Sequence, residues 1–271
     1  MPTAVINGVK INYQLSGEGP PIILLHGFTG SHQDWAFQLP VLSKKYRVVA
    51  MDHRGHGKSE APSSPDDYSV SIFTHDIYGL LQHLGISKTC VMGHSMGGFM
   101  AFEFALEHPE MVTALVLVDT SSGEWERDPE YEQIRARLRE LAQTEGMEAA
   151  FEYNAAHNAM MRERFEQHPE LREVSRQRML QTSVNGYIYA GDAIWSWKPV
   201  TPRLSEIKVP TLIVVGEEDT PFLKASQTMK ESIANAEMVI IPGATHSPHE
   251  EATDAFNEVL MSFLGRLNLS A

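Results

Sequence analysis

Residues 89–98 read Thr89-Cys90-Val91-Met92-Gly93-His94-Ser95-Met96-Gly97-Gly98. A short apolar run, Cys90 to Met92, stops at Gly93. Ser95 follows, then two glycines, then Phe99-Met100-Ala101-Phe102-Glu103-Phe104-Ala105-Leu106. That order is strand, sharp turn, helix, with a serine at the apex. A serine hydroxyl is a weak nucleophile unless it is exposed, activated by a base and placed beside donors for a developing oxyanion. Glycines two before and two after it let strand and helix approach closely, because no Cβ stands between them. The spacing alone also fits a plain small-residue turn, so the serine's partners must be found elsewhere.

Outward from this turn, short apolar runs recur at 22–25, 48–51, 90–92, 114–118, 212–215 and 238–241. Each is closed by a polar residue or glycine. Strands apolar on both faces belong in a parallel sheet covered by helices on both sides. Helical segments fall between them at 33–43, 72–84, 99–108, 222–234 and 252–264. The first residues, 4–15, form a hairpin about Asn7-Gly8. The pattern predicts an α/β fold: a doubly wound, mostly parallel sheet of about eight strands, with ligands outside the strands' carboxyl ends.

The alternation breaks between 121 and 204. This stretch is rich in Glu, Arg, Ala, Met and Leu and holds helical segments at 130–144, 147–158, 160–167 and 171–181. It reads as an all-helical lid inserted after the sixth strand, above the serine. The expected domains are a core of 1–120 and 205–271 and a lid of 121–204.

The net charge of −13 opposes non-specific binding to nucleic acid or anionic membrane. Cys90 is the sole cysteine, so no internal disulfide forms. No N-terminal signal pattern or membrane-length apolar run is present. The expectation is a cytoplasmic protein, monomer or homodimer, acting on a small molecule.

A serine nucleophile needs a base, and the base needs an orienting acid. After the run 212–215 comes Gly216-Glu217-Glu218-Asp219. After 238–241 comes Pro242-Gly243-Ala244-Thr245-His246. Both begin where a parallel strand ends, on the serine's edge. His246 is the expected base and Asp219 the expected acid. Glu217, Glu218 and Asp119 are rival acids, Asp119 because it ends its own strand; His249 is a rival base. The histidines show no metal-ligand spacing, and neither metal nor cofactor is expected. The oxyanion donors are expected from the backbone N–H of Met96 and of Phe28, in the loop His26-Gly27-Phe28-Thr29-Gly30. His26 reads as a packed structural histidine. The segment Asp52-His53-Arg54-Gly55-His56-Gly57-Lys58-Ser59 lacks the phosphate-loop arrangement and reads as a structural turn held by Asp52 and Arg54.

Taken together, His26-Gly27-Phe28, Asp52 to Ser59, Gly93-His94-Ser95-Met96-Gly97-Gly98, Gly216 to Asp219 and Gly243-Ala244-Thr245-His246 resemble the α/β-hydrolase fold superfamily over nearly the whole chain. The resemblance implies a triad of Ser95, Asp219 and His246, an oxyanion hole at Phe28 and Met96, and a lid near 121–204. It departs at Thr245, where many relatives carry glycine. Haloalkane dehalogenases and epoxide hydrolases have aspartate at the elbow; here it is Ser95. Relatives that eliminate pyruvate in menaquinone synthesis carry arginine after the elbow glycines, where this chain has Phe99. Perhydrolases usually have Phe or Tyr before the serine, where this chain has His94.

The function implied is a serine hydrolase of small carboxylic esters or lactones, working through an acyl-enzyme. The alternatives are hydrolysis of a carbon–carbon bond in vinylogous 1,5-diketones and a low-turnover ligand receptor. Phe28, His94, Phe151, Tyr187, Trp195 and Trp197 are the expected substrate contacts, with Trp125, Tyr153, Met160, Met161 and Tyr189 as further lid residues that line the pocket or pack lid on core.

Overall fold

The computed structural model describes residues 1–123, 129–267 and 269, with the backbone alone at 129 and 130. Trp125 lies outside the described residues. Eight strands form one sheet: β1 (Thr3–Ile6), β2 (Val9–Ser16), β3 (Pro21–Leu25), β4 (Arg47–Met51), β5 (Thr89–His94), β6 (Val112–Val118), β7 (Thr211–Gly216) and β8 (Ala236–Ile241). Their spatial order is β1-β2-β4-β3-β5-β6-β7-β8. β1 and β2 form the hairpin and β2 lies antiparallel to β4; every pairing from β4 to β8 is parallel. A parallel register puts the carboxyl ends of six strands on one edge.

Successive residues of the central strands feed two cores, because side chains alternate across a pleated strand. Ile23, Leu25, Val49, Met51, Val91, Leu115 and Leu117 meet Phe73, Ile77, Met100 and Phe104 on one face. Ile22, Leu24, Val48, Ala50, Cys90, Met92, Val116 and Val118 meet Trp35, Leu42, Phe256 and Leu260 on the other. Fully burying each such side chain is worth about 1.5–3 kcal/mol, so double-sided burial explains why these runs carry no polar alternation.

The helices are α1 (Leu39–Leu42), α2 (Val70–His83), α3 (Met96–Glu107), then α4 (Pro129–Thr144), α5 (Met147–His157), α6 (Ala159–Gln167), α7 (Pro169–Gln181) and α8 (Val184–Ser196), and finally α9 (Thr220–Ser232), α10 (Pro248–Glu251) and α11 (Thr253–Gly265). The continuous helix expected at 33–43 is instead a 3-10 turn, His32–Trp35, followed by the single turn α1. Pro40 is the reason: a proline inside a helix lacks the N–H and clashes with the carbonyl four residues back.

α4 to α8 form the all-helical lid between β6 and β7, with their own small core of Leu138, Phe151, Phe165, Met179 and Ile188. α8 is not announced by the sequence pattern, since Gly186 and Gly191 interrupt it. Its start is fixed by Ser183, whose Oγ accepts from Gly186 N–H at 2.9 Å. A Cβ on Gly186 would stand 2.2 Å from the carbonyl oxygen of Gly55, so glycine is what lets α8 touch the core. Among the described residues, no helix is long and apolar enough to cross a membrane.

Candidate active site

Ser95 sits between β5 and α3 with φ 49° and ψ −114°, a conformation costly for a residue bearing Cβ. The surroundings hold it there. Ser95 N–H donates to Val118 O at 2.9 Å, and Thr120 Oγ1 donates to Ser95 O at 2.7 Å. A Cβ on Gly93 would lie 2.3 Å from Gly97 O, and one on Gly97 would lie 2.2 Å from Leu25 O. The glycines around the serine therefore answer to contact with backbone.

His246 follows β8 and Asp219 follows β7, and both reach the serine. Ser95 Oγ lies 3.0 Å from His246 Nε2, and His246 Nδ1 lies 2.7 Å from Asp219 Oδ2. Asp219 is buried, whereas the His246 side chain keeps 21% of its surface exposed. Phe222 rests on the imidazole with ring centroids 4.8 Å apart. A hydroxyl, an imidazole and a carboxylate in this sequence can pass a proton from Oγ to Nε2 while the acid holds the other ring nitrogen.

The loop after β3 runs beside the elbow. A Cβ on Gly27 would meet His94 Nδ1 at 2.7 Å, so glycine brings this loop against the serine. Thr29 has φ 60°, and its Oγ1 donates to Phe28 O at 2.7 Å, which fixes the turn carrying Phe28. Neither Phe28 N–H nor Met96 N–H has an acceptor among the described residues. Met96 N–H opens α3, where the first amides have no partner within the helix and the helix dipole favours an anion.

Of the rival residues, His249 is buried against Trp35 and His94, with ring centroids 4.8 and 4.6 Å away. Glu217 accepts from Gly243 N–H and Glu218 from Gln167. Asp119 lies beside the triad: one ligating atom each from Asp119, Asp219 and His246 falls within 4.8 Å of the others. Its Oδ1 accepts from Gly216 N–H at 2.9 Å. Burial first, then the charge of Asp219 and a hydrogen bond to it, push the Asp119 carboxyl well above the usual range.

The expected substrate contacts divide. Tyr187 stacks on Phe28 at 5.1 Å and so stands over the loop after β3. His94 is buried, and its Nε2 pairs with His246 O at 2.7 Å, supporting the loop from beneath rather than facing a substrate. Phe151 is 1% exposed within the helical core. Trp195 packs with Tyr131 and Arg135. Trp197 stacks on Phe99 at 4.5 Å and donates to Glu103, pinning the end of α8 to α3. His94, Phe151, Trp195 and Trp197 thus each make packing contacts with other side chains.

His26 Nδ1–H donates to Gly27 O at 2.7 Å and its Nε2 accepts from His53 N–H at 3.0 Å. Asp52 accepts from Asn12, from the backbone and ring of His32, and from Lys58 N–H. Arg54 pairs with Asp76 at 2.7 Å. These residues brace the loops and lie outside the proton path.

One set of residues escaped sequence reasoning. Arg164 of α6 pairs with Glu250 at 2.7 Å and Glu251 at 2.8 Å. Arg178 of α7 pairs with Glu250 and, at 3.3 Å, with Asp34. Glu251 also accepts from Thr245 N–H at 2.6 Å and from Thr245 Oγ1 at 2.8 Å. Thr245 has no left-handed φ, so the position needs no glycine, and its hydroxyl adds a bond that glycine lacks. The only sequence signal was the pair Glu250-Glu251 after the histidine, which reads equally well as a solvated helix start.

The profile of the alpha/beta hydrolase fold family matches residues 20–253. A Bacillus subtilis (strain 168) protein, provisionally named 2-succinyl-6-hydroxy-2,4-cyclohexadiene-1-carboxylate synthase, is 31% identical over 96% of both chains. The enol-lactonase from Burkholderia xenovorans LB400 superposes with a TM-score of 0.86 at 29% identity, covering 98% of this chain and all of its own. A thermophilic esterase from Thermogutta terrifontis superposes with a TM-score of 0.85 at 28% identity, covering 97% and 96%. An eight-stranded sheet, a serine at the elbow and a family profile spanning most of the sequence lead to one conclusion: this chain belongs to the alpha/beta hydrolase fold family.

Proposed function

We propose that the protein is a serine hydrolase of small carboxylic esters or lactones, with Ser95 as nucleophile, His246 as base and Asp219 as orienting acid. The observation that carries this reading is the unbroken chain Ser95 Oγ to His246 Nε2 at 3.0 Å and His246 Nδ1 to Asp219 Oδ2 at 2.7 Å. The lactonase and esterase neighbours support the substrate class. Residues 121–204 are proposed as the lid and 1–120 with 205–271 as the core.

In this mechanism Ser95 Oγ attacks the ester carbonyl carbon as His246 Nε2 takes its proton. The C=O π pair moves to oxygen, where Phe28 and Met96 N–H stabilise it; a single such donor is worth about 10²–10³ in kcat. The C–O bond to the alcohol then breaks, and His246 returns the proton to the leaving oxygen. Water attacks the acyl-enzyme by the same route, releasing the acid and restoring Ser95. A lactone releases no second molecule until water has opened the acyl-enzyme.

Phe99 bears on the choice of substrate. It is buried and stacked on Trp197, so the place after the elbow glycines offers no cation to a carboxylate substrate. The test is Ser95→Ala, assayed with p-nitrophenyl esters and simple lactones, alongside fluorophosphonate labelling. The variant should fold and lose turnover and label together; full turnover in folded Ser95→Ala would remove the mechanism.

A further inference from the structure

Asp119 and Asp219 follow adjacent strands, β6 and β7, and both are buried. On Asp119, Oδ1 accepts from Gly216 N–H, while Oδ2 meets no donor. On Asp219, Oδ2 accepts from His246 Nδ1, while Oδ1 meets no donor. Each carboxyl therefore has one satisfied and one orphaned oxygen, and the two carboxyls face each other. An orphaned buried acceptor carries an uncompensated desolvation penalty, and two adjacent buried carboxylates cannot both ionise cheaply. The third acid close by, Glu251, adds more negative charge. A single proton between Asp119 and Asp219 resolves the orphaned atoms and the repulsion at once. It belongs on Asp119, because Asp219 is the carboxyl that faces the imidazole.

We propose that Asp119 is a positioning residue: a neutral carboxylic acid whose O–H donates to Asp219 Oδ1, leaving Asp219 one negative charge directed at His246 through Oδ2. The inference rests on the assignment of Ser95, His246 and Asp219 above. Asp119 touches no substrate. It fixes the rotamer of Asp219 and, through it, the tautomer and tilt of His246. It also keeps the charge facing the base at one unit rather than two.

Asparagine is the isostere of the neutral acid: its Oδ1 can keep the Gly216 N–H and its amide can donate to Asp219. Asp119→Asn should hold kcat within about threefold of wild type, and the acid limb of kcat/KM should stay where it is. Asp119→Ala removes the donor and should lower kcat about 10- to 100-fold with KM little changed, since a misplaced base costs chemistry rather than binding. A purely structural Asp119 predicts reduced thermal stability in Asp119→Ala without the loss of kcat. An ionised Asp119 predicts that Asp119→Asn removes a charge from beside the imidazole and drags the acid limb down by about a unit or more; that shift overturns the proposal, as does equal damage by Asn and Ala. Should Asp119→Asn fail to fold, Asp119→Ser carries a donor hydroxyl and the same two readouts apply. Ser95→Ala separates the two readings: if it keeps full turnover, the serine mechanism fails before Asp119 is tested. If Ser95→Ala is inactive while Asp119→Asn shifts the acid limb, only the Asp119 proposal fails.

Discussion

Arg164, on the lid, lies 2.8 Å from Glu251, and the carboxylate of Glu251 also takes the N–H and hydroxyl of Thr245, one residue before His246. Lid docking and the placement of the histidine loop are therefore one ionic structure. The Arg164 side chain is 10% exposed and the Glu251 side chain is fully buried, so solvent screens little of it. Breaking a buried pair by removing one partner typically costs about 3–5 kcal/mol, because the other charge is stranded. Arg164→Met should lower both the melting temperature and kcat for ester hydrolysis. A double-mutant cycle with Glu251→Gln should show coupling above about 1 kcal/mol in stability. Strictly additive losses would show that lid and loop are held independently.

The elbow glycines yield a second expectation. Ala at 97 sets a methyl 2.2 Å from Leu25 O, a backbone atom that cannot rotate away. Gly97→Ala should move α3 away from β3, and with it the Met96 N–H that we assign to the oxyanion. kcat should fall by about 10²-fold, the loss expected for one missing donor, while KM changes little. Wild-type kcat in a folded Gly97→Ala variant would detach Met96 from the oxyanion role.

Much of this was legible in the sequence, for physical reasons. Strands buried on both faces leave near-continuous apolar runs such as 114–118, and loops at their carboxyl ends begin where those runs stop, which is why Ser95, Asp219 and His246 were readable. Contacts between distant segments leave no such trace. Arg164 and Arg178 look like surface charges of polar helices; their partners lie 70 or more residues away, and only the folded chain brings them together. α8 is hidden because Gly186 and Gly191 both weaken a helical pattern, and only Gly186 is there for close approach, to Gly55. The aromatic residues of the lid are the converse case: composition places them in the lid, but nothing in it distinguishes Tyr187, stacked on Phe28, from Phe151 in the helical core.

Acid should unfold this protein early. Burial holds His26 at about 4 and His56 at about 3, both against the raising effect of Asp52. Unfolding frees each to return to about 6.5. Below that value the unfolded chain binds protons the folded chain refuses, so stability falls as pH drops from about 6.5 towards 4. At about 1.4 kcal/mol per pKa unit, His26 alone accounts for about 3 kcal/mol over that window. Asp52 adds a later loss. Burial raises its carboxyl, but the His32 hydrogen bonds outweigh that and hold it at about 2, so its stabilisation goes as pH falls from about 3.8 to 2. Urea midpoints measured from pH 7 to 4 should decline steadily; a flat profile would contradict the neutral buried histidines.

Two glycines on one helix give the sharpest contrast. At Gly191 an added Cβ finds only the Phe28 ring edge, 3.5 Å away, which is ordinary contact. At Gly186 it would stand 2.2 Å from Gly55 O and 2.6 Å from Gly55 C, both backbone atoms. Gly55 cannot yield easily, since it has φ 79° and its carbonyl accepts from both Ser183 N–H and Ser183 Oγ. Helix propensity favours alanine over glycine by about 1 kcal/mol at either position. Gly191→Ala should therefore be neutral or stabilising and leave ester turnover intact. Gly186→Ala should lift α8 from the core, loosen Tyr187 from Phe28 and raise KM, with a stability loss of about 1–3 kcal/mol from overpacking. If the two variants melt together, α8 is not seated on Gly55, and the stack of Tyr187 on Phe28 must be held by other contacts.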